Sequence, residues 1–308
     1  MSAPIIRAEN LTKRYGDFTA VDGISFTVQP GESFGLLGPN GAGKSTTMRM
    51  IGGTLSRTEG TLNVGGLDPQ RDGPATRAQL GVIPQQDSLD EELQVAENIY
   101  VYGRYFGLPG SFLRERIGPL LEFAQLTDKR KEKVAALSGG MKRRLTIARA
   151  LVTEPKILLL DEPTTGLDPQ ARHILWDRLF QLKEEGVTLV VTTHFMDEAE
   201  QLCDRLIVVD KGRIMAEGSP AQLIREYTSR EVAEFRFGSG RSGDVVDKLT
   251  GIGEHLESLP DRILIYGEHG EDIVARVAEL DVEPRTTLVR RSSLEDVFLR
   301  LTGRNLIE

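Results

Sequence analysis

Residues Gly38-Pro39-Asn40-Gly41-Ala42-Gly43-Lys44-Ser45 fit the pattern G-x-x-x-x-G-K-[ST], and they follow the apolar run Ser33-Phe34-Gly35-Leu36-Leu37. Glycine at 38, 41 and 43 lets consecutive backbone N–H groups turn toward phosphate oxygens with no Cβ in the way. The run before the loop reads as a buried strand, and Lys44 to Ile51 reads as a helix whose N-terminal dipole would face the anion. Strand, glycine loop and helix in that order predict a nucleoside triphosphate site in an α/β core.

Two further segments complete a hydrolytic set. The apolar run Ile157-Leu158-Leu159-Leu160 ends in Asp161-Glu162, and Leu137-Ser138-Gly139-Gly140-Met141 precedes it. Asp161, at a strand end, can hold Mg²⁺ through its water shell while the Ser45 hydroxyl serves as a direct ligand. Glu162 can point elsewhere and orient the attacking water as a general base. Taken alone, Asp161-Glu162 before Pro163 is also an ordinary start to a turn; the phosphate loop upstream favours the chemical reading.

Composition bounds what the chain can do. Its 308 residues and 39% hydrophobic content support a full core and more than one domain. Acidic residues outnumber basic ones, 46 to 38, for a formal charge of −8, which argues against nucleic acid as the main partner. The triplet Lys142-Arg143-Arg144 is therefore read as a solvated basic face rather than a nucleic-acid patch. Cys203 is the only cysteine, so it forms no internal disulfide; a small core residue in a reducing compartment is expected. The first residues lack the basic start and apolar core of a signal peptide. No stretch approaches the roughly 18–20 apolar residues of a membrane span, so membrane contact is expected only through a partner.

Along the chain, alternating segments from Ile5 to Val28 suggest a small antiparallel sheet ahead of the phosphate loop. Leu80 to Pro84 is a short strand that ends at Gln85-Gln86. From about 89 to 150 the pattern is helical, with breaks expected at Gly107 to Gly110 and at Gly118-Pro119. Strands at Lys156–Leu160, Val187–Thr192 and Arg205–Asp210 then alternate with helices at Pro169–Glu185 and Met196–Cys203, which implies a mostly parallel sheet with crossover helices. Near Tyr227-Thr228-Ser229 the character changes. Residues 1–228 are expected to form one domain and residues 229–308 a smaller α+β unit of β-α-β-β-α-β order.

On the phosphate loop, Leu137 to Met141 and Asp161-Glu162, the chain resembles an ABC-type ATPase, the nucleotide-binding subunit of an ABC transporter, over residues 5 to about 225. The resemblance implies a P-loop core with an antiparallel β subdomain and a helical insertion. Ser138, Gly139 and Gly140 then belong to the signature motif, which faces the γ-phosphate on a second copy; Met141 stands where the family usually has Gln. Gln85 matches the Q-loop glutamine that touches Mg²⁺ or its water, with Gln86 one register away. His194 matches the switch histidine and Asp168, in Gly166-Leu167-Asp168-Pro169, the D-loop residue at the dimer seam. Tyr15 matches the aromatic platform for adenine, with Phe18 as the nearby alternative, and Thr46 extends the phosphate contacts of Ser45. Tyr100, Tyr102, Tyr105 and Phe106 fall where the family forms a groove for the membrane subunit, and they suit an ordinary helix core equally well.

Three stretches narrow the resemblance to the ABC-2-type exporter branch that includes daunorubicin-resistance and nodulation-factor export ATPases. They are Gln85 to Asp90, Tyr102 to Gly107 and Thr193 to Met196; the closing Ser293 to Phe298 is similar to that branch's tail. The resemblance implies separate permease subunits, and one phosphate loop with one signature motif implies a homodimer at the cytoplasmic face of the inner membrane, driven by ATP and Mg²⁺. A soluble ABC ATPase acting on ribosomes or DNA is the alternative, but such proteins carry two cassettes in one chain or long coiled coils, and neither occurs here. A GTPase is disfavoured, since no Asn-Lys-x-Asp motif follows the loop.

Overall fold

Thr188–Thr193 reads Thr-Leu-Val-Val-Thr-Thr and is buried at every position, as is Ser33–Leu37. Strands that are dry on both faces belong inside a parallel sheet covered by helices. The computed structural model, which describes residues 3–237, 242–280 and 282–303, contains such a sheet. The chain divides into two compact units, Met1–Glu217 and Gly218–Glu308. The division falls ahead of the expected boundary after Thr228.

In the first unit, β1 (Ile6–Tyr15) and β2 (Phe18–Val28) form an antiparallel hairpin, followed by β3 (Ser33–Leu37), the phosphate loop and α1 (Lys44–Ile51). Next come β4 (Glu59–Val64), α2 (Gly73–Arg77) and β5 (Leu80–Ile83). The β4 strand joins the free edge of β1, giving a three-stranded antiparallel sheet of order β2-β1-β4. That third strand was not visible in the sequence pattern.

The helical insertion is α3 (Val95–Tyr105), α4 (Gly110–Phe123) and α5 (Gly139–Ala150). The break expected at Gly118-Pro119 does not occur, because α4 continues through Pro119. Burial of Leu113, Ile117, Leu120 and Leu121 on one face keeps the helix intact despite the missing N–H.

The chain then alternates through β6 (Ile157–Asp161), α6 (Pro169–Glu184), β7 (Thr188–Thr193), α7 (Met196–Leu202), β8 (Arg205–Asp210) and β9 (Arg213–Gly218). The six-stranded sheet has the order β5-β6-β7-β3-β8-β9, and the pairs β5–β6, β6–β7, β7–β3 and β3–β8 are parallel. The carboxyl ends of β3, β5, β6 and β7 thus lie side by side. Ligands in open α/β sheets gather at that edge.

The second unit opens with α8 (Pro220–Tyr227), capped by Ser219 and Gln222 in a reciprocal box. It continues as β10 (Glu231–Arg236), α9 (Ser242–Leu249), β11 (His255–Ser258), β12 (Ile263–Gly267), α10 (Gly270–Ala278), β13 (Thr286–Arg291) and α11 (Leu294–Thr302). The antiparallel sheet order β11-β12-β10-β13 is that of a split β-α-β arrangement with a closing helix added.

Candidate nucleotide site

The phosphate loop joins β3 to α1. Gly41 and Gly43 have φ of 81° and 101°, in the region that L side chains avoid. A Cβ on Gly38 would strike the Val209 carbonyl, and one on Gly43 the Ala20 carbonyl, so neighbouring backbone closes the loop from two sides. Lys44 is buried, and its Nζ donates to the Gly38 carbonyl at 2.6 Å and to Pro39 at 3.0 Å. The same nitrogen lies 3.6 Å from Glu162 Oε1. Burial lowers the Lys44 pKa, and the charges of Glu162 and Asp161 oppose that shift.

Beside the loop, Asp161 ends β6 and its Oδ1 accepts from Ser45 Oγ at 3.1 Å and from Thr192 Oγ1 on β7. Ser45 and Asp161 are hard oxygen donors lying side by side, a donor set that fits Mg²⁺. Glu162 follows in a left-handed conformation with φ of 46°, which for a residue with a Cβ is a strained backbone. Its N–H donates to the Thr192 carbonyl at 3.0 Å. Its carboxylate is 6% exposed and gathers the other expected residues: Gln85 Nε2 donates to Oε2 at 3.0 Å, and His194 Nδ1 lies 3.2 Å from Oε1 without hydrogen-bond geometry. Of the two adjacent glutamines, Gln85 is the one whose amide reaches Glu162.

A cleft of about 240 Å³ lies over the loop and is lined by Tyr15, Phe18, Asn40, Thr46, Gln85 and Glu162, among others. Tyr15 and Phe18 pair across the tip of the β1–β2 hairpin and are 45% and 63% exposed, so both rings present a face at the cleft's rim. The glycine cradle, the lysine and the exposed ring at the rim fit a nucleoside triphosphate.

Ser138, Gly139, Gly140 and Asp168 stand apart from this cleft. Ser138 caps α5 by accepting from the Met141 N–H at 3.4 Å, and Asp168 caps α6 by accepting from the Ala171 N–H at 2.9 Å. The two helix starts adjoin, since a Cβ on Gly140 would lie 3.3 Å from that of Ala171. Ser138 and Gly139 are exposed.

Arg143 corrects the reading of 142–144 as a solvated basic face. It is 4% exposed, and its guanidinium donates to the Pro84 carbonyl at 2.6 Å and the Pro163 carbonyl at 2.8 Å. Longer bonds reach the Asp161 and Glu162 carbonyls, each at 3.4 Å, and Asp87 Oδ1 at 3.3 Å. Arg149, six residues on, is also buried and donates to the Ser88 carbonyl at 2.6 Å and the Ser88 hydroxyl at 2.7 Å. The available signal was spacing: Arg143, Thr146 and Arg149 recur every three residues on one helix face, and Thr146 also donates to Asp87, at 3.0 Å.

Tyr102 and Phe106 line a second cleft of about 350 Å³, with Met48, Leu80, Val82 and Leu159 supplying apolar walls. Arg149 lies 4.8 Å from the Tyr102 ring centroid, and Tyr105 is 83% exposed. The aromatic cluster is thus divided between groove wall and solvent.

Residues 21–165 match the family model described as ABC transporter, and residues 244–303 match the model described as Nodulation factor export protein NodI, C-terminal domain. The chain is 46% identical to the Nod factor export ATP-binding protein I of Ralstonia nicotianae, over 99% of this chain and 96% of the relative. The chain belongs to the ABC transporter ATP-binding family. A second member, the Nod factor export ATP-binding protein I of Burkholderia pseudomallei, is 47% identical over 100% of both chains. Among solved structures, the chain resembles an ABC transporter complex subunit from Clostridium perfringens, with a TM-score of 0.68 and 31% identity over 73% of this chain and 92% of that one. It also resembles an ATP-binding cassette of an ABC transporter in its ADP conformation, with a TM-score of 0.66 and 30% identity over 73% and 95%. As an ABC transporter ATP-binding subunit, the chain binds and hydrolyses ATP and works with a membrane permease. Among the described residues, no helix is long and apolar enough to cross a membrane.

Proposed function

We propose that two copies of this chain close on ATP against ABC-2-type permease subunits at the cytoplasmic face of the inner membrane and power export of a lipo-oligosaccharide of the Nod factor class. The full-length likeness to Nod factor export ATP-binding proteins carries the reading. In it, Met1–Glu217 is the ATPase domain and Gly218–Glu308 an accessory α+β domain.

Each site residue has a role that its position supports. The loop from Gly38 to Thr46 holds the phosphates through backbone N–H groups, and Lys44 exchanges its loop carbonyls for phosphate oxygens. Tyr15 stacks on adenine. Mg²⁺, held by Ser45 with Asp161 and Gln85 nearby, would neutralise charge on the β- and γ-phosphates. Glu162 accepts a proton from the attacking water, and Gln85 and His194, both beside its carboxylate, help to place that water. Ser138, Gly139, Gly140 and Asp168 do not line the cleft of their own chain, which is the arrangement expected of groups that meet the nucleotide of a second copy. The apolar groove at Tyr102 and Phe106 suits a permease segment.

Size-exclusion chromatography of the Glu162→Gln full chain with and without Mg-ATP tests the reading. The expected outcome is an ATP-dependent shift from monomer to dimer. A chain that binds ATP and stays monomeric, alone and when captured with its membrane subunits, refutes the composite site.

A further inference from the structure

Arg143 carries a buried charge that the proposed hydrolytic roles do not use, and each of its partners lies in a segment that bears one of those roles. Asp161, Glu162 and Pro163 are consecutive at the end of β6, and all three carbonyls accept from it. Pro84, whose carbonyl takes its shortest bond at 2.6 Å, directly precedes Gln85. The side chains of Glu162 and Gln85 meet at 3.0 Å, so one guanidinium grips the backbone on both sides of that contact.

The Glu162 backbone needs such a grip. At φ of 46° it occupies a conformation that costs a non-glycine residue of order 1–3 kcal/mol unless its surroundings hold it. Thr192 fixes the N–H side through its carbonyl at 3.0 Å and its hydroxyl at 3.1 Å. Arg143 fixes the carbonyl side. The planar fork of five N–H donors can serve several carbonyls together, whereas a lysine ammonium in the same place can serve only some of them. Opposite charge comes from Asp87 at 3.3 Å and from Asp161, whose carboxylate also acts on the guanidinium.

We infer that Arg143 is a positioning residue for hydrolysis, holding the strand-end backbone so that Glu162 and Gln85 converge on one water. The inference rests on the reading of Glu162 as general base. Because α5 begins at Ser138–Gly140, the residues proposed to meet the second nucleotide, the same helix ties that contact to the hydrolytic carboxylate.

The test uses the chain with its membrane subunits, captured from the host through a tag on this chain, and the variants Arg143→Lys, Glu162→Gln and their double. Arg143→Lys keeps a cation beside Asp87, and a thermal melt of each variant checks that it is folded. The substitution is expected to lower kcat about 10–100-fold with the Kd for ATP within about threefold, because the phosphate loop is untouched. The double variant is expected to be no slower than Glu162→Gln, since a residue acting through Glu162 adds nothing once that carboxylate is gone. Wild-type turnover in Glu162→Gln removes the general-base reading itself. Slow Glu162→Gln with Arg143→Lys turnover within about twofold of wild type, or losses that multiply in the double, overturns the inference alone. Hydrogen exchange on the nucleotide-free full chain gives a readout independent of turnover: Arg143→Lys is expected to speed exchange at 84–88 and 161–165 at least about fivefold, leaving 44–51 unchanged. Unaltered exchange in the first two segments also overturns it.

Discussion

Replacing Lys44 by methionine separates a phosphate-binding charge from a structural one. In the nucleotide-free chain the ammonium donates to the Gly38 and Pro39 carbonyls at 2.6 and 3.0 Å and sits 3.6 Å from Glu162. Burial lowers the Lys44 pKa, and the contact with Glu162 offsets only part of that desolvation cost. Methionine fills the same volume and relieves one buried charge, but it frees the two carbonyls and strips Glu162 of its cation; Gln85 and His194 still neighbour that carboxylate, so opposing effects limit the loss of stability to about 1–3 kcal/mol. Binding has no such offset. A hydrogen bond to a charged group contributes about 1.5–3 kcal/mol, and 1.4 kcal/mol is tenfold in affinity, so Kd for ATP should rise roughly 10–150-fold. Titration with a fluorescent ATP analogue gives Kd, and a thermal melt gives stability. Unchanged affinity would refute the placement of phosphate at this loop, and a collapse of the melting temperature would show that Lys44 mainly holds the fold.

Three further outcomes follow from the geometry. Gly38→Ala places a methyl against the Val209 carbonyl, so a loss of about 1–3 kcal/mol is expected in chemical denaturation, together with weaker nucleotide binding. Tyr15→Ala removes an exposed ring and should weaken ATP binding about 5–10-fold with no change in melting temperature, the range of one aromatic stacking contact; equal affinity would move the adenine to Phe18. Asp68 accepts both guanidinium bonds of Arg57 at 2.7 Å, which lowers its pKa to about 2 from an ordinary 3.8. A depressed carboxylate pKa stabilises above the unfolded value and stops doing so as pH falls through the folded one, so the pair's contribution of about 1 kcal/mol, discounted for solvent screening, should vanish between about pH 4 and 2. The gap in stability between wild type and Asp68→Asn should therefore close over that window.

Motifs whose chemistry is local were legible before the fold. Gly38–Ser45 and Asp161-Glu162 work through backbone geometry and adjacent carboxylates, and their strand and helix context is written in the residues beside them. The parallel sheet was likewise visible in short apolar runs alternating with helical stretches. What escaped depends on distant partners. Arg143 looked like one of three surface cations because charge in a sequence carries no burial, and its bonds go to carbonyls, which every residue has. The β4 strand carries no signal in the sequence because its side chains are mostly exposed and show no apolar run. Pro119 reads as a helix break because the rule is local and the apolar face that overrides it is not.

Cys203 packs where Gly35 leaves space, so close that a Cβ there would meet its Sγ, and burial pushes the thiol well above its usual pKa. A thiol held protonated out of solvent reacts slowly with maleimides. The native chain is therefore nearly silent to labelling, and a single cysteine introduced at exposed Tyr105 can carry a fluorophore beside the apolar groove with the native residue left in place. The missing side chain of one strand glycine thereby opens a clean spectroscopic view of when that groove is covered.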